Sequence, residues 1–374
     1  MKCLFDMSDL DTSKKYYSIN LYKYRILDAI QEKDYSKILL ILNDSNVEYI
    51  TKKYPYFKYV IYTEKKDILS KIPLINHYIA SIRFAAFINN IGGGTFFTAS
   101  NIDYKITKRL KIRKVCVIHD IKAIWEGNSI IKKLLQIYRV KNYYRKLINN
   151  SDVTIAISNF TRQNILENIS GINEKKLVVI YNSVVVSEKS IKPAGFNNSD
   201  YILYVNSLDE YKNIVTLVKS FILLKDRITN DLVIVASPNE YYRTTIIPLI
   251  EKAKITHRVH LYSNVPDYEL HYIYEHARIF VSPSLNEGFG YTPLEAAICM
   301  CPVLCSKCEA LPDTTQGKLN YYEKATDEKE LANRLYSLIN NQVDKEDLAN
   351  ISKYFNSVYS PSKHQSELFK VLKL

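Results

Sequence analysis

Short apolar runs alternate along this chain with longer stretches whose apolar positions recur at helical spacing. In the first half, Lys2 to Asp6, Lys37 to Leu42, Tyr59 to Tyr62, Thr95 to Ala99, Val115 to Ile118, Val153 to Ile157 and Leu177 to Ile180 read as strands. Periodic stretches at Ile19 to Ile30, Leu74 to Ile88, Ser129 to Ile148 and Asn159 to Ile169 predict helices between them. Apolar strands separated by helices belong to a parallel sheet covered on both faces. The polar stretch Ser187 to Asp200, with Pro193 and Gly195, then reads as a linker. Alternation restarts after it. Strands fit Tyr201 to Val205, Leu232 to Ala236, Val259 to Tyr262, Ile279 to Ser282 and Val303 to Cys305. Helices fit Val215 to Leu224, Thr245 to Ala253, Tyr268 to His276, Pro293 to Ile298, Glu328 to Ile339 and finally Ser362 to Leu374. The pattern predicts two Rossmann-like α/β domains, 1–190 and 200–355, followed by a terminal helical segment, 356–374.

Composition fits that division, since 374 residues are ample for two cores. No apolar run is long enough to span a bilayer, and the N-terminus reads as a first strand, not a leader, so a cytoplasmic protein is expected. The net charge of +12 is concentrated. Between Tyr104 and Asn150 stand thirteen Lys or Arg against only Asp120 and Glu126. This points either to an anionic partner or to a solvated face. Nucleic acid is not expected, because no aromatic–basic motif accompanies the charge. In the helix from Ser129 to Ile148, Lys132, Arg139 and Lys146 recur every seven residues opposite Ile130, Leu134, Ile137 and Ile148. Basic amphipathic helices of this kind lie on anionic membrane surfaces, which would make the protein peripheral on the inner face of the membrane; packing on the sheet is the alternative use of the apolar stripe. Of Cys299, Cys301, Cys305 and Cys308, only the last two have a zinc-type spacing, and all four read better as small apolar groups, so no metal site is expected.

The most informative segment is Pro283-Ser284-Leu285-Asn286-Glu287-Gly288-Phe289-Gly290-Tyr291-Thr292-Pro293-Leu294-Glu295-Ala296. Two carboxylates eight positions apart bracket a Gly-Phe-Gly turn and a proline suited to a first helical turn. Free amides at such a helix start form an anion site, and both glutamates can serve one polyhydroxylated ligand. An ordinary loop-to-helix junction with two solvated glutamates is the bland alternative.

The segment resembles the E-x7-E signature of retaining GT-B glycosyltransferases, of the family 4-like group that includes bacterial polysaccharide and O-antigen mannosyl- or hexosyltransferases. The resemblance implies two Rossmann-like domains facing a cleft, the first binding acceptor and the second binding a nucleotide diphosphate sugar, with the last helix crossing back to the first. It implies that Glu287 holds donor-sugar hydroxyls, Glu295 the ribose, and Gly288, Phe289, Gly290, Tyr291, Thr292, Ser207 and Val265 the rest of the donor. Tyr201 to Asn213 is similar to the family's strand, turn and Lys-Asn segment, which makes Lys212 the cation that neutralises the donor diphosphate. Val117-Ile118-His119-Asp120 resembles the His-Asp pair at a strand end, giving His119 a catalytic or acceptor-orienting role with Asp120 behind it. Ser158, before Asn159-Phe160-Thr161, matches a cleft serine, though a plain N-cap explains it as well.

The departures are specific. Asn206 stands at a usual glycine, Ser207 or Tyr211 at a common phosphate-binding arginine, Met300 at a glycine, and Asp313 at a glutamate. The loop Ser8 to Tyr17 has no glycine where the family often has several, and Gly92-Gly93-Gly94 precedes a strand and reads as a turn, not a phosphate cradle. The reading is a metal-independent hexosyltransferase using a UDP-, GDP- or dTDP-sugar and a glycan, lipid-linked acceptor. A catalytically degenerate domain that binds nucleotide or a protein partner, or a nucleotide-sugar 2-epimerase, is the alternative.

Overall fold

The computed structural model describes residues 2–13, 18–64, 73–100, 102–121, 130–341 and 344–374, with the side chains of 18, 73–76 and 130–134 outside the description. The chain divides into two compact units, Met1–Ser183 with Pro361–Leu374, and Val184–Ser360.

The first unit runs β1 (Cys3–Asp6), α1 (Ser18–Ala29), β2 (Ile38–Leu42), α2 (Val47–Lys53), β3 (Lys58–Ile61), α3 (Pro73–Ile91), β4 (Thr95–Thr98), α4 (Tyr104–Arg109), β5 (Arg113–Ile118), α5 (Ile130–Asn150), β6 (Val153–Ala156), α6 (Asn159–Asn168) and β7 (Leu177–Val179). Its strands form a parallel sheet in the order β3-β2-β1-β4-β5-β6-β7. Strands β1, β2 and β4 are buried at every position, which is why they read as continuous apolar runs. Only the edge strand β3 is largely exposed among them. Phe84, Ile88, Phe96, Ile118, Leu147, Ile148 and Ile165 fill the layer beneath the helices, each such side chain contributing about 1.5–3 kcal/mol of burial. The three glycines 92–94 end α3, with Gly92 at φ +69 and Gly93 at φ +127, and the Gly94 N–H donates to Lys2 O at 2.9 Å.

The second unit runs β8 (Tyr201–Val205), α7 (Ile214–Leu224), β9 (Asp231–Val235), α8 (Ile247–Lys252), β10 (Val259–Tyr262), α9 (Asp267–Glu275), β11 (Ile279–Ser282), α10 (Tyr291–Ile298), β12 (Val303–Ser306), α11 (Leu311–Thr314), β13 (Asn320–Tyr322), α12 (Glu328–Asn340) and α13 (Lys345–Val358). Its parallel order is β10-β9-β8-β11-β12-β13. In α7, Ile214, Leu217, Val218, Phe221 and Leu224 are buried at helical spacing against β8 and β9.

The final helix α14 (Pro361–Leu372) returns to the first unit. There Thr95 Oγ1 donates to Leu372 O at 3.0 Å, and Arg113 Nη2 donates to Val371 O at 3.1 Å. The helix before it, α13, was not anticipated from the sequence. It belongs to the second unit, where Ser352 Oγ donates to Ile298 O at 2.6 Å. Helices α2, α4 and α11 and strand β13 are likewise additional. A π-helical turn at Tyr242–Ile246 precedes α8, where the apolar pattern implied one helix from Thr245. Pro248 in the first turn of α8 lacks the N–H that would continue regular bonding backward.

Candidate active site in the second unit

In an open parallel sheet, ligands meet the C-terminal strand ends where the strand order reverses. In the second unit that point lies between β8 and β11, paired at Ile202↔Ile279 and Leu203↔Phe280. The loop after β8 carries Lys212 and the loop after β11 carries Glu287. Adjacent strands therefore deliver the two residues to one place. Lys212 Nζ donates to Glu287 Oε1 at 2.8 Å, and both side chains are about nine-tenths buried, at 11% and 9% exposed. Burial alone would lower the lysine pKa, but the charge and hydrogen bond of Glu287 outweigh it and hold Lys212 above its usual value. Lys212 is thus a fixed cation already matched to a carboxylate. Its ammonium also lies 5.1 Å from the centre of the Tyr211 ring.

Several bonds hold this pair. Ser284 Oγ donates to the same Glu287 Oε1 at 2.8 Å, so Oε1 is fully engaged and Oε2 has no hydrogen-bond partner among the described residues. Asn213, at φ 57, takes the left-handed conformation that Asn tolerates better than most residues. Its side-chain amide donates to Pro283 O at 2.9 Å and Ala325 O at 2.8 Å, which ties the Lys212 turn to the Glu287 loop. Ser306 Oγ donates to Ser284 O at 2.6 Å, and the Glu287 N–H donates to Glu309 Oε2 at 2.9 Å. Glu309 and Ser306 come from β12 and the loop after it. Their part in this site was missed, because nothing in the local sequence announces a bond to a residue more than twenty positions away.

The helix start after Glu287 differs in detail from expectation. Helix α10 begins at Tyr291, capped by Gly290 at φ +83, and Pro293 falls inside the first turn instead of opening it. The first-turn amides still lack intrahelical partners, so the anion-binding character is kept. A Cβ on Gly290 would come within 2.3 Å of Leu311 Cδ2, so this glycine is required by both conformation and space. Phe289, expected from the resemblance to help hold the donor, turns its ring inward. Its side chain is 3% exposed and packs edge-on to Tyr359 with ring centres 5.7 Å apart, leaving only its backbone for a ligand. Gly288, Tyr291 and Thr292 are half-buried around it. Glu295, one turn into α10, is half-buried and accepts from Tyr274 OH at 3.5 Å.

Ser207 is exposed, and its groups are used locally: its N–H donates to Asn206 Oδ1 at 2.9 Å and its Oγ donates to Asp209 Oδ2 at 2.7 Å. Asn206 therefore occupies an amide that a glycine at the same position would leave free. Val265 is half-buried in the loop between β10 and α9, two strands away from β8. Met300 sits at φ 60, and the bonds Cys301 N to Ala296 O (3.0 Å) and Met300 N to Ala297 O (3.1 Å) close α10 in a Schellman motif. This is a position that favours glycine. Asp313 lies in the first turn of α11. All six cysteines are free and buried; burial pushes the thiols of Cys299, Cys301 and Cys305 up, and that of Cys308 up to about 12. They pack as apolar groups.

In the first unit, His119 follows β5, one strand beyond the sheet's reversal point between β1 and β4, and lies next to the end of β4. Its Nε2 lies 2.8 Å from Ala99 O, and a carbonyl can only accept, so Nε2 carries the proton and Nδ1 the lone pair. Loss of water around the ring lowers its pKa. Tyr22 meets the ring edge-on, with centroids 5.1 Å apart. Asp120 is half-buried, and its backbone carbonyl accepts from Tyr144 OH at 3.1 Å. Ser158 is fully buried, caps α6 by accepting from Thr161 N at 3.0 Å, and donates to Thr161 Oγ1 at 3.0 Å. Its bonding is that of a structural cap. In the glycine-free loop after β1, buried Asp6 accepts from Ser8 N and Oγ, and fully buried Lys23 pairs with Asp9. Lys14 to Tyr17 of that loop lie outside the described residues. Along α5, Arg139 and Lys146 are exposed, Ile148 is buried and Ile137 packs on the core; the side chain of Lys132 lies outside the description. Leu135 and Tyr138 of the same helix are exposed as well.

A two-unit α/β protein with a buried Lys–Glu pair beside a helix N-terminus, at the reversal point of its second sheet, has the architecture of a GT-B glycosyltransferase. The family comparisons agree in both halves. Residues 186–356 match the model of glycosyl transferases group 1, and residues 55–188 match that of glycosyltransferase family 4. The chain belongs to this family of GT-B glycosyltransferases. It is 26% identical over 259 residues to the O-antigen chain mannosyltransferase RfbU of Salmonella typhimurium, covering 66% of this chain and 69% of that one. To O-antigen chain mannosyltransferase B of Escherichia coli it is 33% identical over 114 residues, and the chain spans 30% of that relative's length. Among solved structures, Anabaena Alr3699/HepE in complex with UDP superposes with a TM-score of 0.76 at 14% identity, over 100% of both chains.

Proposed function

We propose that this protein is a retaining hexosyltransferase that moves a sugar from a nucleotide diphosphate donor to a lipid-linked glycan in bacterial surface polysaccharide assembly. The buried Lys212–Glu287 pair beside the first turn of α10 carries the reading. The donor diphosphate lies at that helix start, its oxygens taking the free amides and sharing Lys212. Because Oε1 of Glu287 is already engaged, Oε2 receives a sugar hydroxyl. Glu295 receives the ribose hydroxyls. As the bond from C1 to the phosphate oxygen breaks, positive charge spreads over the ring and negative charge builds on the leaving phosphate. That phosphate takes the proton of an acceptor hydroxyl attacking from the same face, so configuration is retained. A cation held at the leaving group contributes most in the transition state, when that charge is largest. Lys212 supplies the neutralisation for which a divalent ion is the common alternative, so turnover is proposed to be metal-independent.

The first unit is proposed to bind the acceptor, with Nδ1 of His119 accepting from a hydroxyl. The exposed Arg139 and Lys146, beside exposed Leu135 and Tyr138, support peripheral contact of α5 with anionic lipid, Lys132 joining them by its spacing. The test is nucleotide release from a panel of UDP-, GDP- and dTDP-sugars, with and without bacterial lipid extract and with and without a chelator. The names of RfbU and mannosyltransferase B make a mannosyl donor the first choice. Release with one donor, unaffected by chelator, is expected. Absence of both turnover and binding with every donor overturns the reading. Binding without turnover favours a non-catalytic nucleotide-binding domain, a reading supported by Asn206 occupying the Ser207 amide.

A further inference from the structure

Glu287 is held by its backbone as well as by its side chain. Two consecutive residues of the loop after β12 grip the same residue: the Glu309 carboxylate accepts the Glu287 N–H at 2.9 Å, and the Ala310 N–H donates to Glu287 O at 3.4 Å. Glu309 does this from a left-handed backbone, φ 39, which glycine adopts readily and other residues adopt at a cost. A site that needed only the turn would be served by glycine. The side chain retained there is the one whose carboxylate reaches the Glu287 amide. An ionised acceptor makes a stronger hydrogen bond to a backbone N–H than a neutral one does. Lys212 and Ser284 fix one oxygen of Glu287, so the remaining freedom of that residue lies in its main chain, where Glu309 acts.

We infer that Glu309 is a positioning residue for the sugar-binding carboxylate, setting where Glu287 Oε2 stands without touching the substrate. The inference rests on the proposed transferase reading for its effect on turnover, but the grip itself is measurable without turnover. A displacement of about an ångström in such a group lowers rates by up to about a hundredfold. Removing one of several restraints is expected to cost about tenfold in kcat, with the KM for donor changed less than about threefold.

The experiment compares Glu309→Gln, Glu309→Ala and Glu309→Gly with the unaltered protein by nucleotide release, by hydrogen exchange at the Glu287 amide and by thermal unfolding. Gln keeps an oxygen acceptor and should retain most of the turnover and exchange protection. Ala and Gly should both lose about tenfold in kcat and expose the Glu287 amide to exchange. Gly should nevertheless melt about 2–4 °C above Ala, because it relieves the left-handed strain. Stability restored without activity is the signature of positioning. Unchanged exchange at Glu287 in Glu309→Ala overturns the inference whatever the turnover. A Gln variant that keeps exchange protection at Glu287 yet is as slow as Ala also overturns it, because charge and not the grip would then be what matters. If the unaltered protein turns over no donor while exchange at Glu287 still depends on Glu309, the transferase reading falls and the grip stands.

Discussion

Lys212 Nζ and Glu287 Oε1, 75 residues apart in the chain, meet at 2.8 Å because β8 and β11 are neighbours in one parallel sheet. Neither residue is at the surface, so each depends on the other. Removing one partner of a buried pair leaves an uncompensated charge and typically costs about 3–5 kcal/mol. Lys212→Ala and Glu287→Ala should each lower stability on that scale, in chemical denaturation, and each should reduce turnover more than Glu295→Ala does. The pH dependence has a definite sign. The pKa of Lys212 is raised in the folded protein, so its contribution is complete below the ordinary value of 10.5 and lost as pH climbs through the folded value. The stability gap between the unaltered protein and Lys212→Ala should be flat from pH 7 to about 10 and narrow above it. A gap that narrows near neutrality would contradict the pairing.

Gly290→Ala should destabilise the second unit. The substitution puts a Cβ on a backbone at φ +83 and against buried Leu311. Left-handed strain and overpacking together cost about 2–4 kcal/mol. Thermal unfolding checks this, and a variant as stable as the original would mean that the loop re-forms without the left-handed turn.

Met300→Gly should act in the opposite direction. Met300 closes the Schellman motif of α10 at φ 60 and is 41% exposed, so little packing is lost when the side chain is removed. A gain of about 1 kcal/mol, or a melting temperature higher by about 2–4 °C, is expected.

Asp6 carries a pH signal in the first unit. Burial, helped by the charge of Asp9, raises its pKa from 3.8 to about 6, against the opposing effects of Lys23 and Ser8. The folded state binds the proton more tightly than the unfolded state, so stability falls as pH rises from about 4 through 6. Asp6→Asn removes the titration and keeps an oxygen for Ser8. Its stability relative to the unaltered protein should improve by about 1–3 kcal/mol between pH 4 and 7. Equal slopes for the two proteins over this range would count against a buried, raised Asp6.

The division into two α/β units and nearly all the strands were legible in the sequence, because strands buried end to end, such as Ile38–Leu42 and Tyr201–Val205, leave uninterrupted apolar runs. Short edge elements such as Asn320–Tyr322 bury too little to leave that mark. Helix α13 did leave one, Leu348, Ile351 and Phe355 behind an Asp344 cap, and was passed over next to a stronger helix. At the site, the residue types were readable but not their pairing. That Lys212 is matched to Glu287, that Phe289 turns into the core and that Glu309 grips the Glu287 amide all depend on loops brought together by strand order, which local pattern does not encode.

The return of α14 to the first unit has a consequence for the order of events in synthesis. The second unit is one unbroken stretch, Val184–Ser360, whereas the first is completed only by Pro361–Leu372. During translation, the middle of the chain holds everything it needs while β4 and β5 still lack the carbonyls of Val371 and Leu372. The half made first is the half finished last.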